Sequence, residues 1–102
     1  MSSPRKRAFG SAPDVHWRTA QAELRAFARN LRESARHLRR KECGLSLAAL
    51  TDAERNHARL ERELAGAQML SGGQGERKFV KSRLLLSKTH TAWRRHCKVV
   101  SR

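Results

Sequence analysis

Two cysteines, Cys43 and Cys97, and five histidines, His16, His37, His57, His90 and His96, are the residues of this 102-residue chain whose types could hold a metal ion or act as a nucleophile with its base. Structural zinc takes four such ligands, usually presented as closely spaced pairs. No C-x-x-C occurs here, and His96 and Cys97, being adjacent, point about 100° apart on a helix. If three helices fold back on one another, Cys43, His57, His96 and Cys97 come to one pole. Two free thiols in a reducing compartment are the expectation there; a zinc site and, in an oxidising compartment, a Cys43–Cys97 disulfide are the alternatives. A catalytic cysteine needs a positioned base and an oxyanion stabiliser. These residues sit among cations with no apolar cleft in prospect, and no pair of carboxylates shares a plausible pocket. The chain is predicted to be a non-enzyme that needs no metal and no cofactor.

A second candidate for chemistry is the stretch MLSGGQGERK at residues 69–78. Leu70-Ser71-Gly72-Gly73-Gln74 with Arg77 resembles the signature loop of ATP-binding-cassette ATPases, where a helix N-terminus meets a phosphate. That loop only completes a site whose phosphate cradle is G-x-x-x-x-G-K-S/T between a strand and a helix. No such string exists in the chain. The stretch is therefore predicted to be a flexible turn between helices, with Glu76 favouring the first turn of the next one.

The elements that would position these residues are three helices. The first is predicted over about 12–43, with Ser11-Ala12-Pro13-Asp14 as its cap and Gly44 as the residue just past its end. The second is predicted over about 51–69, because Thr51-Asp52-Ala53-Glu54 fits a capping box. Residues 45–50 would be an extra turn or an apolar plug. The third is predicted over about 76–98. Apolar stripes at alternating spacings of three and four run through Trp17, Ala20, Leu24, Phe27, Leu31, Ser34 and Leu38, and through Leu50, Ala53, His57, Leu60, Leu64 and Ala67. In the third helix Phe79, Leu86, Trp93 and Val100 recur every seven residues, with Leu84 and Leu85 widening the face. The fold class is all-α: a helical hairpin or small antiparallel three-helix bundle over 12–102, preceded by a disordered basic arm at 1–11. No apolar run approaches the roughly 18–20 residues that span a bilayer.

The charge is large and uneven. The chain carries 23 Lys and Arg against 9 Asp and Glu, a formal net charge of +14. Leu, Val and Phe number 12, 4 and 3 with no Ile, so the core formers are few for a chain repelling itself so strongly, and order is expected to come from a partner. Residues 43–75 are close to neutral, whereas residues 76–102 hold nine basic residues and the single acid Glu76. Arg18, Arg25, Arg32 and Arg39 recur at intervals of seven, as do Lys81, Lys88, Arg95 and Arg102, each set forming a ridge beside its apolar stripe. With few acids to pair with, these ridges should seek an outside anion.

RNA phosphate is the leading anion. Lys and Arg that neutralise phosphates release counterions and give affinity without any base-reading motif, and Arg, here 17 against 6 Lys, binds phosphate bidentately. The expected nucleic-acid contacts are Arg5, Lys6, Arg7, Arg18, Arg25, Arg32, Arg39, Lys81, Lys88, Arg95 and Arg102. The expected function is that of a basic helical subunit of a large assembly, a ribosomal or other ribonucleoprotein component touching RNA backbone and neighbouring proteins. The alternative is a scaffold, accessory or assembly subunit docked on acidic protein, in a respiratory complex or on a microtubule. ELRAFARNLRESARHLRR, residues 23–40, resembles the first helix of the small mitochondrial LYR proteins, basic three-helix subunits of that second kind. The family's tripeptide is missing, since Leu24 is followed by Arg25 and Ala26, so no residue role is carried over. Arg5, Lys6 and Arg7 suit a mitochondrial transit peptide, a nuclear-localisation cluster or an arm lying on an anion. The expected location is mitochondrial or nuclear, mitochondrial preferred.

Overall fold

The computed structural model describes residues 12–67 and 73–97, and these form three helices: α1 (Ala12–Arg39), α2 (Cys43–Gly66) and α3 (Gly73–Cys97). They run up, down and up, so α1 and α3 are parallel and α2 is antiparallel to both. This is the small all-α bundle expected. The predicted arm, with Arg5, Lys6 and Arg7, lies outside the described residues, as do Arg102, Val100 and residues 69–72 of the glycine-rich stretch.

Two helix starts differ from expectation. The chain turns at Arg40–Glu42 rather than at 44–50, and Gly44 is not the stop. Lys41 adopts the left-handed conformation at φ 62°. Its amide bonds the Leu38 carbonyl at 2.9 Å, while the Glu42 amide bonds the His37 carbonyl at 2.9 Å. This pair of bonds is the Schellman closure of a helix end, with a lysine where glycine is usual. α2 then begins at Cys43, and LSLAAL is helical. Thr51 therefore lies inside a helix: its capping-box pattern is equally compatible with a helix interior, and packing of the preceding turns decides. At the other end α3 begins at Gly73, not Glu76, with Gly73 at φ 82°. α2 ends at Gly66, short of Met69.

α1 and α2 share the most extensive interface in the molecule. From α2 the seam takes Ser46, Leu50, Ala53, His57, Leu60, Leu64 and Ala67, all buried, at alternating intervals of four and three. From α1 it takes Ala20, Phe27 and Ser34. Every stripe residue predicted for α2 is thus in the core. The seam is closed by polar pairs as well as apolar ones. Ser34 Oγ donates to the Ser46 carbonyl at 2.9 Å, and Ser46 Oγ to the Ser34 carbonyl at 2.8 Å. Asn30 Nδ2 donates to Asn56 Oδ1 at 2.7 Å, and Asn56 Nδ2 to Glu23 Oε1 at 2.9 Å. His16 and Glu63 meet at 2.6 Å over Gly66, where a Cβ would come within 2.9 Å of the imidazole. A one-residue slip of α1 past α2 would leave these buried polar atoms unpaired, at about 1–3 kcal/mol each, so the pairs fix the register.

α3 is held more lightly. Phe79 joins Ala20, Leu60 and Leu64 in a core cluster on which Trp17 and Leu24 pack. Ser82 is buried, Leu86 and Trp93 are half-buried, and Cys97 is sealed at the far end. Leu84 and Leu85 do not widen this face: they are 57 % and 44 % exposed. On a helix Leu84 lies roughly 140–160° round from Phe79 and Ser82, which have already turned to α2 and α1, and Leu85 lies about 120° from Phe79 and about 60° from Ser82.

Candidate functional site: a basic groove between the first and third helices

The cysteines are joined. Cys43 at the start of α2 and Cys97 at the end of α3 form a disulfide, with a Cα–Cα distance of 5.9 Å. Beside it Trp93 Nε1 donates to the Cys43 carbonyl at 3.0 Å. This corrects the expectation of free thiols, and it removes both sulfurs from any metal site. His57 is not at that pole either. It lies deep in the core, its ring 5.4 Å from that of Phe27 and 4.8 Å from that of Phe79. Ser82 Oγ gives its proton to the Phe79 carbonyl at 2.8 Å, and so its oxygen accepts from His57 Nε2 at 3.0 Å. Burial holds the His57 pKa below its ordinary value; the Phe79 carbonyl and Glu61 oppose that shift, and the Arg83 guanidinium adds to it. Among the described residues no group of three or more His, Cys, Asp or Glu is placed to hold a metal ion, and no helix is long and apolar enough to cross a membrane.

The cationic rows occupy a different part of the molecule. Arg18, Arg25, Arg32 and Arg39 are exposed on α1, and Lys81, Lys88 and Arg95 are exposed on α3. The α1 row follows the residues of its stripe by one position and the α3 row by two, so each lies toward the outer side of its helix rather than tight against the core. The two rows border one seam. Along it lie three cavities. A small one at the top lies between all three helices, touching Trp17 and Gln21 of α1, Leu60 and Leu64 of α2 and Lys78 of α3. A middle one of about 200 Å³ is walled by Leu24, Phe27 and Ala28 of α1 and by Lys78, Lys81 and Leu85 of α3. A lower one of about 390 Å³, beside the disulfide, is lined by Leu38, Arg39, Lys41, Cys43 and His96. Of the two rows, Arg39 and Lys81 line these cavities; with α1 and α3 parallel, the spacing of seven sets Arg25 and Arg32 on the edge of Arg39, and Lys88 and Arg95 on the edge of Lys81. The result is a groove with a largely apolar floor and a cationic rim on either side, successive cations on each rim standing about 10.5 Å apart.

Acidic residues are arranged on the opposite edges. Glu23 contacts Arg59 at 3.7 Å as well as Asn56. Glu33 pairs with Arg36, Glu42 accepts from His37 Nδ1 at 2.7 Å, Glu54 pairs with His90, and Asp52 meets Arg55 at 3.4 Å. With Glu63 on His16, these acids are taken up by partners on all three helices, Arg55 and Arg59 on α2, Arg36, His37 and His16 on α1 and His90 on α3. Glu76 stands about 160° round α3 from Lys78. No acidic side chain lines any of the three cavities. The charge segregation that the sequence displays along the chain is therefore also a segregation between faces, and it concentrates positive potential at the groove.

Sequence reasoning missed Lys78, Lys41 and His96 as members of this site, and Arg29 as an exposed cation between Arg25 and Arg32. Lys78 and Arg29 were signalled by their spacing of three and four from a row member. Lys41 and His96 depend on how the turn and the pole are built, which no spacing records. No family model, curated protein or solved structure matches this chain.

Proposed function

We propose that this chain is a structural, non-catalytic subunit of a ribonucleoprotein assembly that lays the outward cations of α1 and α3 on RNA phosphate. What carries the proposal is the set of exposed cations Arg25, Arg29, Arg32, Lys81, Lys88 and Arg95, which have no acidic partner among the described residues, whereas Arg55 and Arg59 of α2 do. Held at fixed spacing on two rigid helices, they suit a repeating anion, and nothing in the arrangement selects one base over another. Their affinity should come from counterion release. Of the two locations expected, mitochondrial or nuclear, the mitochondrial one is kept as the preferred proposal; the Cys43–Cys97 bond does not separate them, since it would need an oxidising environment in either. The apolar groove floor favours a protein neighbour as well, so a scaffold docked on acidic protein is the second reading. Isolation of the native assembly followed by ribonuclease separates them. Release of the chain by ribonuclease is the expected result, and retention would transfer the assignment to the scaffold.

A further inference from the structure

We propose that the groove between α1 and α3 is the seat of a fourth helix, an acidic amphipathic helix contributed by another protein, which completes a four-helix bundle. α1 offers it Leu24, Ala28, Leu31, Ala35 and Leu38, which recur at alternating intervals of four and three and are only half-buried within this chain. On α3, Leu85 and Ala92 lie on the same side, Leu85 being 44 % exposed. An apolar stripe at that spacing is the kind of surface that takes the ridge of a packed helix. Two of the cavities lie at separate points between these helices, one walled by Leu24, Ala28, Lys81 and Leu85 and one by Leu38, Arg39 and His96 beside the disulfide.

Charge decides the occupant. The rims carry Arg25, Arg32 and Arg39 on one side and Lys81, Lys88 and Arg95 on the other, at the flanking positions that choose partners in helix bundles. A helix with Glu or Asp on both flanks of an apolar stripe would neutralise both rims at once. The chain's own segment 1–11 has Arg5, Lys6 and Arg7 and no acid, and would be repelled. A second copy brings another +14 of charge. RNA supplies anions but leaves the leucine floor uncovered or wet. This inference stands apart from the ribonucleoprotein reading and competes with it for Arg25, Arg32, Lys81, Lys88 and Arg95: a helix seated in the groove would take these rim cations, and the RNA arm of the test below separates the two outcomes.

The test uses the full oxidised chain and a labelled synthetic peptide of about four heptads, with Leu at a and d and Glu at e and g. Its affinity is measured by fluorescence anisotropy, beside polyglutamate, which has the charge without the apolar stripe. Two variants probe the groove: Leu85→Ser, at an exposed position, and Ala28→Trp, which fills the middle cavity. Circular dichroism establishes that each variant keeps its helix content. The expected result is that the peptide binds tighter than polyglutamate and that each variant weakens the peptide by at least about tenfold, equivalent to roughly 1.4 kcal/mol, with polyglutamate unaffected. Equal affinity for peptide and polyglutamate, or an unchanged peptide affinity in Leu85→Ser, overturns the proposal. So does a concentration-dependent dimer abolished by Leu85→Ser, which would make a second copy the occupant. Loss of duplex RNA binding in Leu85→Ser to the same degree would make the groove an RNA seat and overturn it too.

Discussion

Reduction of the Cys43–Cys97 disulfide should cost this protein a large share of its stability and should act on α3 in particular. The two cysteines are 54 residues apart in sequence. In the chain-entropy account a crosslink closing a loop of that size removes freedom from the unfolded chain equivalent to about 4 kcal/mol. A domain of this length has about 5–15 kcal/mol in total, and the thin core and unbalanced charge place this one toward the lower end. The loss is not spread evenly. α1 and α2 are joined by the buried heptad seam and its serine and asparagine bonds, whereas Cys97 is the only fully buried residue of α3 beyond Ser82. Opening the bond should therefore free the last turns of α3, carrying Trp93 away from the Cys43 carbonyl, before the hairpin yields. Guanidinium denaturation followed by circular dichroism, with and without a dithiol, gives the total. Hydrogen exchange gives its location: amides from Leu86 to Cys97 should lose protection while those from Leu50 to Leu64 keep theirs. A Cys43→Ser/Cys97→Ser chain should behave like the reduced protein. A stability change below about 0.5 kcal/mol, the size of an ordinary surface substitution, with α3 protection intact, would refute the argument that the bond secures this helix.

Two other outcomes follow from single residues. His57 has its pKa depressed by burial, so the unfolded chain takes up a proton at a pH where the folded one does not; stability should be constant above about pH 6.5, the ordinary histidine value, and should fall as pH drops below it. The steepest slope from this one group is about 1.4 kcal/mol per pH unit, and a comparison of His57→Gln with the parent by chemical denaturation from pH 7.5 to 5 should show that component missing from the variant. Lys41 holds a left-handed conformation that costs a non-glycine residue about 1–2 kcal/mol, so Lys41→Gly should raise stability by roughly 0.5–1 kcal/mol after the added freedom of the unfolded chain is subtracted, measurable as a shift in thermal midpoint.

Much of the fold was legible because α1 and α2 obey one rule along their length. Ser46 to Ala67 and Ala20 to Ser34 keep the alternation of three and four, and a period is visible in sequence without knowledge of what it packs against. The capping box at Thr51 misled because capping is a local pattern, while the start of α2 is set by the Lys41 turn and by the buried Ser34–Ser46 pair twelve residues apart. Leu84 and Leu85 misled for a related reason: hydrophobicity marks a residue that gains from burial, but Phe79, Ser82 and Leu86 had taken the inner face of α3. Ser82 is a small polar residue whose place in the core follows from its bonds to His57 and to the Phe79 carbonyl. The rows of cations were visible as heptad repeats. That Arg25, Arg32 and Arg39 look across a groove toward Lys81, Lys88 and Arg95 depends on α1 and α3 being parallel and incompletely packed, a relation between residues more than fifty positions apart that no periodicity encodes. The disulfide was likewise open in sequence, since two cysteines and no others are compatible with either oxidation state.

In the proposed function, exposed cations on α1 and α3 neutralise the phosphates of an RNA partner. The most direct measurement is the dependence of RNA affinity on salt for the full chain and for Lys88→Gln/Arg95→Gln, whose two side chains are exposed and make no contact on which the bundle relies. Loss of two phosphate contacts should reduce the slope of log affinity against log salt by roughly 1.4–1.8, the value for two released counterions, and should do so equally for RNAs of unrelated sequence. An unchanged slope with the helical fold intact would contradict the account and leave acidic protein as the anion these helices meet.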